Sequence, residues 1–163
     1  MKKILSFLSI IFIITSVVIL PENTLAETGS ISVIVVGANN SAMASELVAM
    51  LVGVYDGSNY LNAPAGEYIP ASNITGSQSY GFTIGNVSLN TSNNYTIAVG
   101  LPGPSDLSGY SVSVNGASLT RGSNGIFTGA VTGVRSGSTV QYTVNFSKAS
   151  NGSINFIVNS SNN

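Results

Sequence analysis

The sequence predicts a single all-β domain, an antiparallel β-sandwich of about eight strands. Runs of β-branched and aromatic residues recur at intervals of about 8–14 residues, a spacing typical of sandwiches and not of alternating β–α units. The runs are separated by Gly, Asn, Ser and Pro, which favour turns. Hydrophobic residues make up 44% of the 163-residue chain, which is enough to build a core and argues against disorder.

The first strand is predicted at 29–37. The run from Ile31 to Val36 is apolar on both faces, which predicts a strand buried on both sides. Further strand-length runs follow at 48–55, 81–88, 95–99, 110–114, 117–121, 126–134, 139–146 and 153–158.

Turn signals separate these runs. Asp56-Gly57 ends the second run, and Asn115-Gly116 follows a strictly alternating one, which is the strongest short-range hairpin signal. Asn124-Gly125 predicts a further turn. The stretch 41–50 is open to two interpretations, because its Ala, Met, Glu and Leu residues favour a short helix while a strand remains the alternative.

The first 26 residues have the pattern of a secretory signal peptide. Lys2 and Lys3 precede the apolar stretch 4–20. Thr24 and Ala26 then supply the small residues that a signal-peptide cleavage site requires at positions −3 and −1. We therefore expect a signal peptide at 1–26, a mature domain at 27–163, and a secreted protein, extracellular or on the cell surface, with no membrane contact after cleavage. A permanent anchor and a pilin leader are the alternatives.

Asn-x-Ser/Thr sequons agree with export. In a host that glycosylates Asn they predict a glycoprotein, and otherwise these residues are turn formers. The candidate N-glycosylation sites are Asn39, Asn73, Asn86, Asn90, Asn94, Asn145, Asn151 and Asn159.

The composition excludes much chemistry. With no His and no Cys, the chain has no imidazole base, thiol nucleophile, disulfide scaffold or usual zinc site. Charged residues make up only 7%, so nucleic acid has no basic patch to bind. We expect no enzyme activity, no catalytic residue, no metal and no cofactor. The mature carboxylates form no recognisable motif: Glu27, Glu46, Asp56, Glu67 and Asp106.

The seven tyrosines allow two interpretations. Some of them could form a platform on which sugar rings stack, as on lectin-like sandwiches. In strands, however, tyrosine is more often a half-buried sheet residue.

Several segments resemble the repeating unit of prealbumin-like surface modules, which include the Cna-B and carboxypeptidase-regulatory-like domains. These segments are 29–35, 51–57, 82–87 and 95–99. The resemblance implies an Ig-like or prealbumin-like sandwich. Cna-B modules often carry a Lys–Asn isopeptide bond, but the first strand here has no Lys, and Lys148 is the one Lys beyond the signal peptide. That bond is therefore not expected.

In architecture and composition the chain also resembles small secreted subunits of archaeal thread-type filaments, which polymerise by donating an N-terminal strand to a neighbour. The corresponding segment would be 27–37. The resemblance implies the donor-strand residues Ile31, Val33, Ile34, Val35 and Val36.

Two functions from different classes follow. The first is a structural subunit of an extracellular filament, pilus-like thread or surface coat, assembled by strand exchange with copies of itself. The alternative is a monomeric secreted or cell-surface module for carbohydrate or protein adhesion, with surface glycans among its partners. A small secreted enzyme or inhibitor is a third, weaker interpretation.

Overall fold

The computed structural model describes residues 27–36, 46–63, 66–75 and 78–149. The predicted signal peptide, the predicted strand at 153–158 and three sequons, Asn39, Asn151 and Asn159, lie outside the described residues.

The described residues form two β-sheets that pack face to face. Apart from one 3-10 turn at Ala71–Asn73, the regular elements are strands. They are β1 (Glu27–Val36), β2 (Ala49–Asp56), β3 (Asn59–Tyr60), β4 (Glu67–Pro70), β5 (Ser79–Leu89), β6 (Asn94–Gly100), β7 (Tyr110–Val114), β8 (Ala117–Ser118), β9 (Thr120–Arg121), β10 (Phe127–Thr132), β11 (Val134–Ser136) and β12 (Thr139–Lys148).

The first sheet has the order β5-β1-β12-β7-β8, with β11 also paired to β12. The second sheet has the order β3-β2-β6-β10-β9, with β4 also paired to β2. The predicted all-β sandwich is confirmed. One pairing departs from the expected antiparallel pattern, because β1 and β12 run parallel.

The core lies between the sheets and consists of alternate residues of the long strands. Val and Ile dominate it, since β-branched side chains pack well on a pleated surface. Two buried tyrosines, Tyr95 of β6 and Tyr142 of β12, meet edge to face with ring centroids 6.1 Å apart. Such aromatic pairs add to the stabilisation that burial alone provides.

The expected burial of the first strand needs correction. The first strand is not buried on both sides: Ile31, Val33 and Val35 are fully buried, whereas Ile34 is half-buried and Val36 is 36% exposed. The reason is that the outer face of the first sheet has no second layer over it within the described residues. Within the region 41–50, Glu46 is helical and β2 begins at Ala49, while 41–45 lie outside the described residues.

Candidate functional site: the slot that holds the first strand

β1 occupies an internal position of the first sheet. It pairs with β5 on one side in antiparallel register and with β12 on the other in parallel register. Val33, at its centre, lies opposite Phe82 of β5 and Tyr142 of β12. We call the space between β5 and β12 the β1 slot.

The candidate donor-strand residues divide into two rows in this slot. Ile31, Val33 and Val35 point into the sandwich and are 0% exposed. Ile34 and Val36 lie on the other face, where Ile34 is half-buried and Val36 is exposed. Burial of each inner side chain contributes roughly 1.5–3 kcal/mol before ordering costs. Filling the slot is therefore a major part of the stability of the sandwich.

Polar contacts hold the beginning of β1. The Ser30 N–H donates to the carbonyl oxygen of Ser138 at 2.9 Å, and the hydroxyls of Ser30 and Thr139 are 3.1 Å apart. Gly29 lies so close to Ser138 that a Cβ there would overlap the carbonyl oxygen. Glu27, the predicted first mature residue, forms an ion pair with Arg135 of β11.

Arg135 also fixes the loop between β5 and β6. Its Nε donates to Asn93 Oδ1 at 3.0 Å, and its Nη2 donates to the Asn90 carbonyl at 3.2 Å. Asn90 Nδ2 donates in turn to Asp56 Oδ1 at 3.2 Å, and the Tyr142 hydroxyl donates to the Asn93 carbonyl at 2.5 Å. The end of the slot at which β1 begins is therefore closed by a hydrogen-bond network. No sequence motif indicated Arg135, because its partners come together only through the pairing of strands distant in sequence.

A second polar cluster lies at the opposite end of β12. Lys148 forms an ion pair with Glu46 and lies over the Tyr110 ring, 5.2 Å from its centroid. The hydrogen bond from Lys148 holds the pKa of Glu46 below its ordinary value. Burial, with Glu46 nearby, raises the pKa of Tyr110 to about 12. The cleft beside them has a volume of about 390 Å³ and is also lined by Asp106, whose pKa is lowered by hydrogen bonds from Ser108.

The described carboxylates lie in different surroundings, with Glu46 and Asp106 lining one cleft. Glu46 and Lys148 neutralise each other, while Glu67 accepts a hydrogen bond from Tyr80 at 2.8 Å on another side of the sandwich. Within the described residues, His, Cys, Asp and Glu nowhere form a group of three or more that could hold a metal ion.

The described sequons are scattered over the sandwich. Asn86, Asn94 and Asn145 are exposed, on β5, β6 and β12 respectively. Asn73 and Asn90 are half-buried, and the Asn90 side chain is already hydrogen-bonded to Asp56 and to the Asn94 carbonyl. The structure therefore leaves the first three more accessible to modification than the last two.

Three tyrosines lie along the edge of the second sheet, Tyr60 opposite Tyr55 and Tyr68 opposite Leu51. Tyr55 of β2 and Tyr60 of β3 stack with ring centroids 4.6 Å apart and an interplanar angle of 18°. Both rings lean over Gly53, where a Cβ would come within 3.1 Å of Tyr55 and 3.3 Å of Tyr60. Tyr68 of β4 is 55% exposed. We call Tyr55, Tyr60 and Tyr68 the tyrosine face.

Comparison with known proteins finds no matching family and a structural similarity of low TM-score. No protein-family model matches the chain, and no curated protein matches it. Among solved structures, part of a pilus-presented adhesin, Cpa, is similar to 76% of this chain, with 13% sequence identity and a TM-score of 0.32. The match covers 28% of the adhesin chain. In the described parts of this chain we find no helix with the length and apolar character needed to cross a membrane.

Proposed function

We propose that the chain is a structural subunit of an extracellular filament, pilus-like thread or surface coat, whose copies are joined by exchange of β1. The observation that supports this proposal is the position of β1. It is the first strand of the predicted mature chain, yet it fills an internal slot and supplies three fully buried core residues.

Removing β1 from its slot would leave the facing edges of β5 and β12 about two strand spacings apart, roughly 9–10 Å. Such a gap accepts one strand through main-chain hydrogen bonds, with pockets for alternate side chains giving specificity. The β1 strand of a second copy makes the same contacts as the chain's own β1. Exchange therefore retains the contacts and requires only that the connection to β2 allow it.

The connection between β1 and β2 is long enough for β1 to extend away from its own slot. Nine residues, 37–45, separate the end of β1 from the next described residue, Glu46. Nine extended residues span at most about 30 Å. Each copy would place its β1 in the slot of one neighbour and receive the β1 of another neighbour in its own slot. Copies joined in this way are arranged head to tail, and they form a filament when the arrangement does not close into a ring.

Deletion of Thr28–Val36 from the mature chain tests the proposal. Electron microscopy should show no filaments, and adding a peptide of residues 27–36 should raise the melting temperature of the truncated protein without restoring polymers. The same peptide with Val33→Asp is the matched control, because an unpaired charge in the core is strongly unfavourable. Filaments formed by the truncated chain would contradict the proposal.

A monomeric adhesion module is the second candidate, and the tyrosine face favours it. Exposed aromatic rings can stack against the apolar faces of sugar rings, and the described parts of β2, β3 and β4 place no Lys or Arg near them. Glycan-array binding that is lost in Tyr68→Ala and retained in Thr128→Ala, an exposed position on β10, would support this function. Absence of glycan binding, in a preparation that forms filaments, would favour the function as a structural subunit.

A further inference from the structure

The outer edge of β5 is the longest strand edge that the described structure leaves open. β5 pairs with β1 along one side, and within the described residues no strand pairs with its other side. An unpaired edge presents a row of N–H and C=O groups that another extended segment can bind. Tyr80 and Phe82 of this strand pack against the core but are only half-buried.

The edge has little protection against pairing. Natural edge strands usually carry charged residues, Pro or bulges that prevent association. β5 contains no charged residue and no Pro. One irregularity occurs where the register shifts opposite Ser30, and Asn86 there has a φ of 55°. The part from Ser79 to Ile84 pairs regularly with β1, and no other strand of the described residues pairs with its outer side.

The chain contains a segment that suits this edge. Fourteen residues, 150–163, follow the last described residue and carry no charge. Within them Ile154, Phe156 and Val158 alternate with Asn155, Ile157 and Asn159. One face is therefore apolar and the other mainly polar, a pattern typical of a strand with one buried face. Added to β5, these three side chains would extend the row formed by Tyr80 and Phe82 and cover their exposed parts.

The segment reaches its own β5 poorly. A strand beyond β5 lies three strand spacings from β12, about 14 Å. Lys148 lies three residues, about 10 Å, beyond Asn145, and Asn145 is level with Val36 and Ser79 in the sheet. The straight distance from Lys148 to such a strand is therefore about 17 Å. The five steps from Lys148 to Ser153 span at most about 18 Å, so the segment reaches its own β5 only when the connection is fully extended. A second copy has no such restriction.

We propose that the segment 150–163 of one copy adds as a strand to the open edge of β5 in a second copy, pairing with Ser79–Ile84. This contact uses a surface separate from the β1 slot and does not depend on β1 exchange. It joins copies side by side, whereas β1 exchange joins them end to end.

Amide hydrogen exchange of the full mature chain tests the pairing. Substitutions Ile154→Asp and Phe156→Asp together should make the outward amides of Ser79–Ile84 exchange about tenfold faster, because a paired amide exchanges only after opening. Asn155→Asp with Asn159→Asp is the matched control, since it adds the same charge on the other face and should change nothing. Equal rates in the wild type and the Ile154/Phe156 variant, with Ile97 of β6 still protected, would overturn the proposal.

Photo-crosslinking identifies the copy that receives the segment. Phe156 is replaced by p-benzoylphenylalanine, and isotope-labelled and unlabelled chains are mixed before illumination. Crosslinks from position 156 to residues 79–84 should join labelled to unlabelled chains. Crosslinks confined to single chains, or reaching other strands, would overturn the proposal. The full chain with Ser30→Cys and Thr139→Cys, oxidised before mixing so that β1 stays in its own slot, should give the same crosslinks although it cannot exchange β1, which separates this proposal from the proposed function.

Discussion

Gly29 of β1 lies directly against the backbone carbonyl of Ser138, in the turn that precedes β12. The N–H of the next residue, Ser30, donates to that carbonyl at 2.9 Å. This close contact fixes the position of β1 in its slot, and only glycine, which has no Cβ, fits at this position.

Gly29→Ala should therefore destabilise the fold and weaken exchange of β1. Its methyl group would overlap the Ser138 carbonyl and lie 2.7 Å from Leu89 Cδ1, and overpacking of this kind costs about 1–3 kcal/mol. Gly85→Ala is the matched control, because a Cβ there meets nothing within 4 Å; it should change stability by about 0.5 kcal/mol or less. Denaturant unfolding measures both, and equal effects of the two substitutions would contradict this role for Gly29.

Arg135→Met should lower the free energy of unfolding by about 1–2 kcal/mol, because it removes hydrogen bonds to Asn93, Asn90 and Glu27. The exposed Arg121 supplies the control: Arg121→Met loses the same charge and should remain within about 0.5 kcal/mol of the wild type. Similar melting curves for the two variants would show that the network around Arg135 contributes nothing specific.

Acid should affect the fold little. The pKa values of Glu46 and Asp106 are lowered by Lys148 and by Ser108 respectively. Each carboxylate therefore stabilises the fold above its unfolded pKa, and that contribution is lost as the pH falls through the folded pKa. Both groups are exposed, so the loss is small. Thermal melts at pH 7 and pH 2 should differ by less than about 15 °C, and a larger fall would contradict this account.

Alkali should destabilise the fold more than acid does. Burial is the main cause that raises the pKa of Tyr110, to about 12, and of Tyr142. A tyrosine whose pKa is higher in the folded than in the unfolded state stabilises the fold fully at pH values below its unfolded pKa, about 10. That stabilisation is lost as the pH rises through the folded pKa. The melting temperature should therefore fall between about pH 10 and pH 12. Tyr142→Phe should be less stable at pH 7 by about 1 kcal/mol but should lose less on going to pH 12.

The strands and turns with local signals could be predicted from the sequence. Asn115-Gly116 forms the expected hairpin turn, with φ values of 49° and 84°, because only residues tolerant of positive φ fit there. The strand β1 follows from its run of β-branched residues, although both of its faces carry apolar side chains. In contrast, β4 at Glu67–Pro70 was not predicted, since a short edge strand with Pro has no clear periodicity.

The slot itself could be predicted only in part. The sequence indicated that β1 is apolar, and the resemblance to donor strands predicted which of its residues fill the slot. It could not indicate that β1 lies parallel to β12, because Ser30 and Thr139 are 109 residues apart and such pairing depends on the whole topology. For the same reason Arg135 carried no signal: its role comes from its position next to Glu27, Asn90 and Asn93.

The exchange of β1 is tested most directly by a disulfide between Ser30→Cys and Thr139→Cys in one chain. The wild type contains no Cys, and these hydroxyls are 3.1 Å apart in paired strands, close enough for a disulfide to replace them. After assembly and oxidation, a denaturing gel without reductant should show a ladder of covalently linked chains that collapses to one band on reduction. A single monomer band containing an intrachain disulfide, from preparations that show filaments, would contradict exchange of β1 between copies.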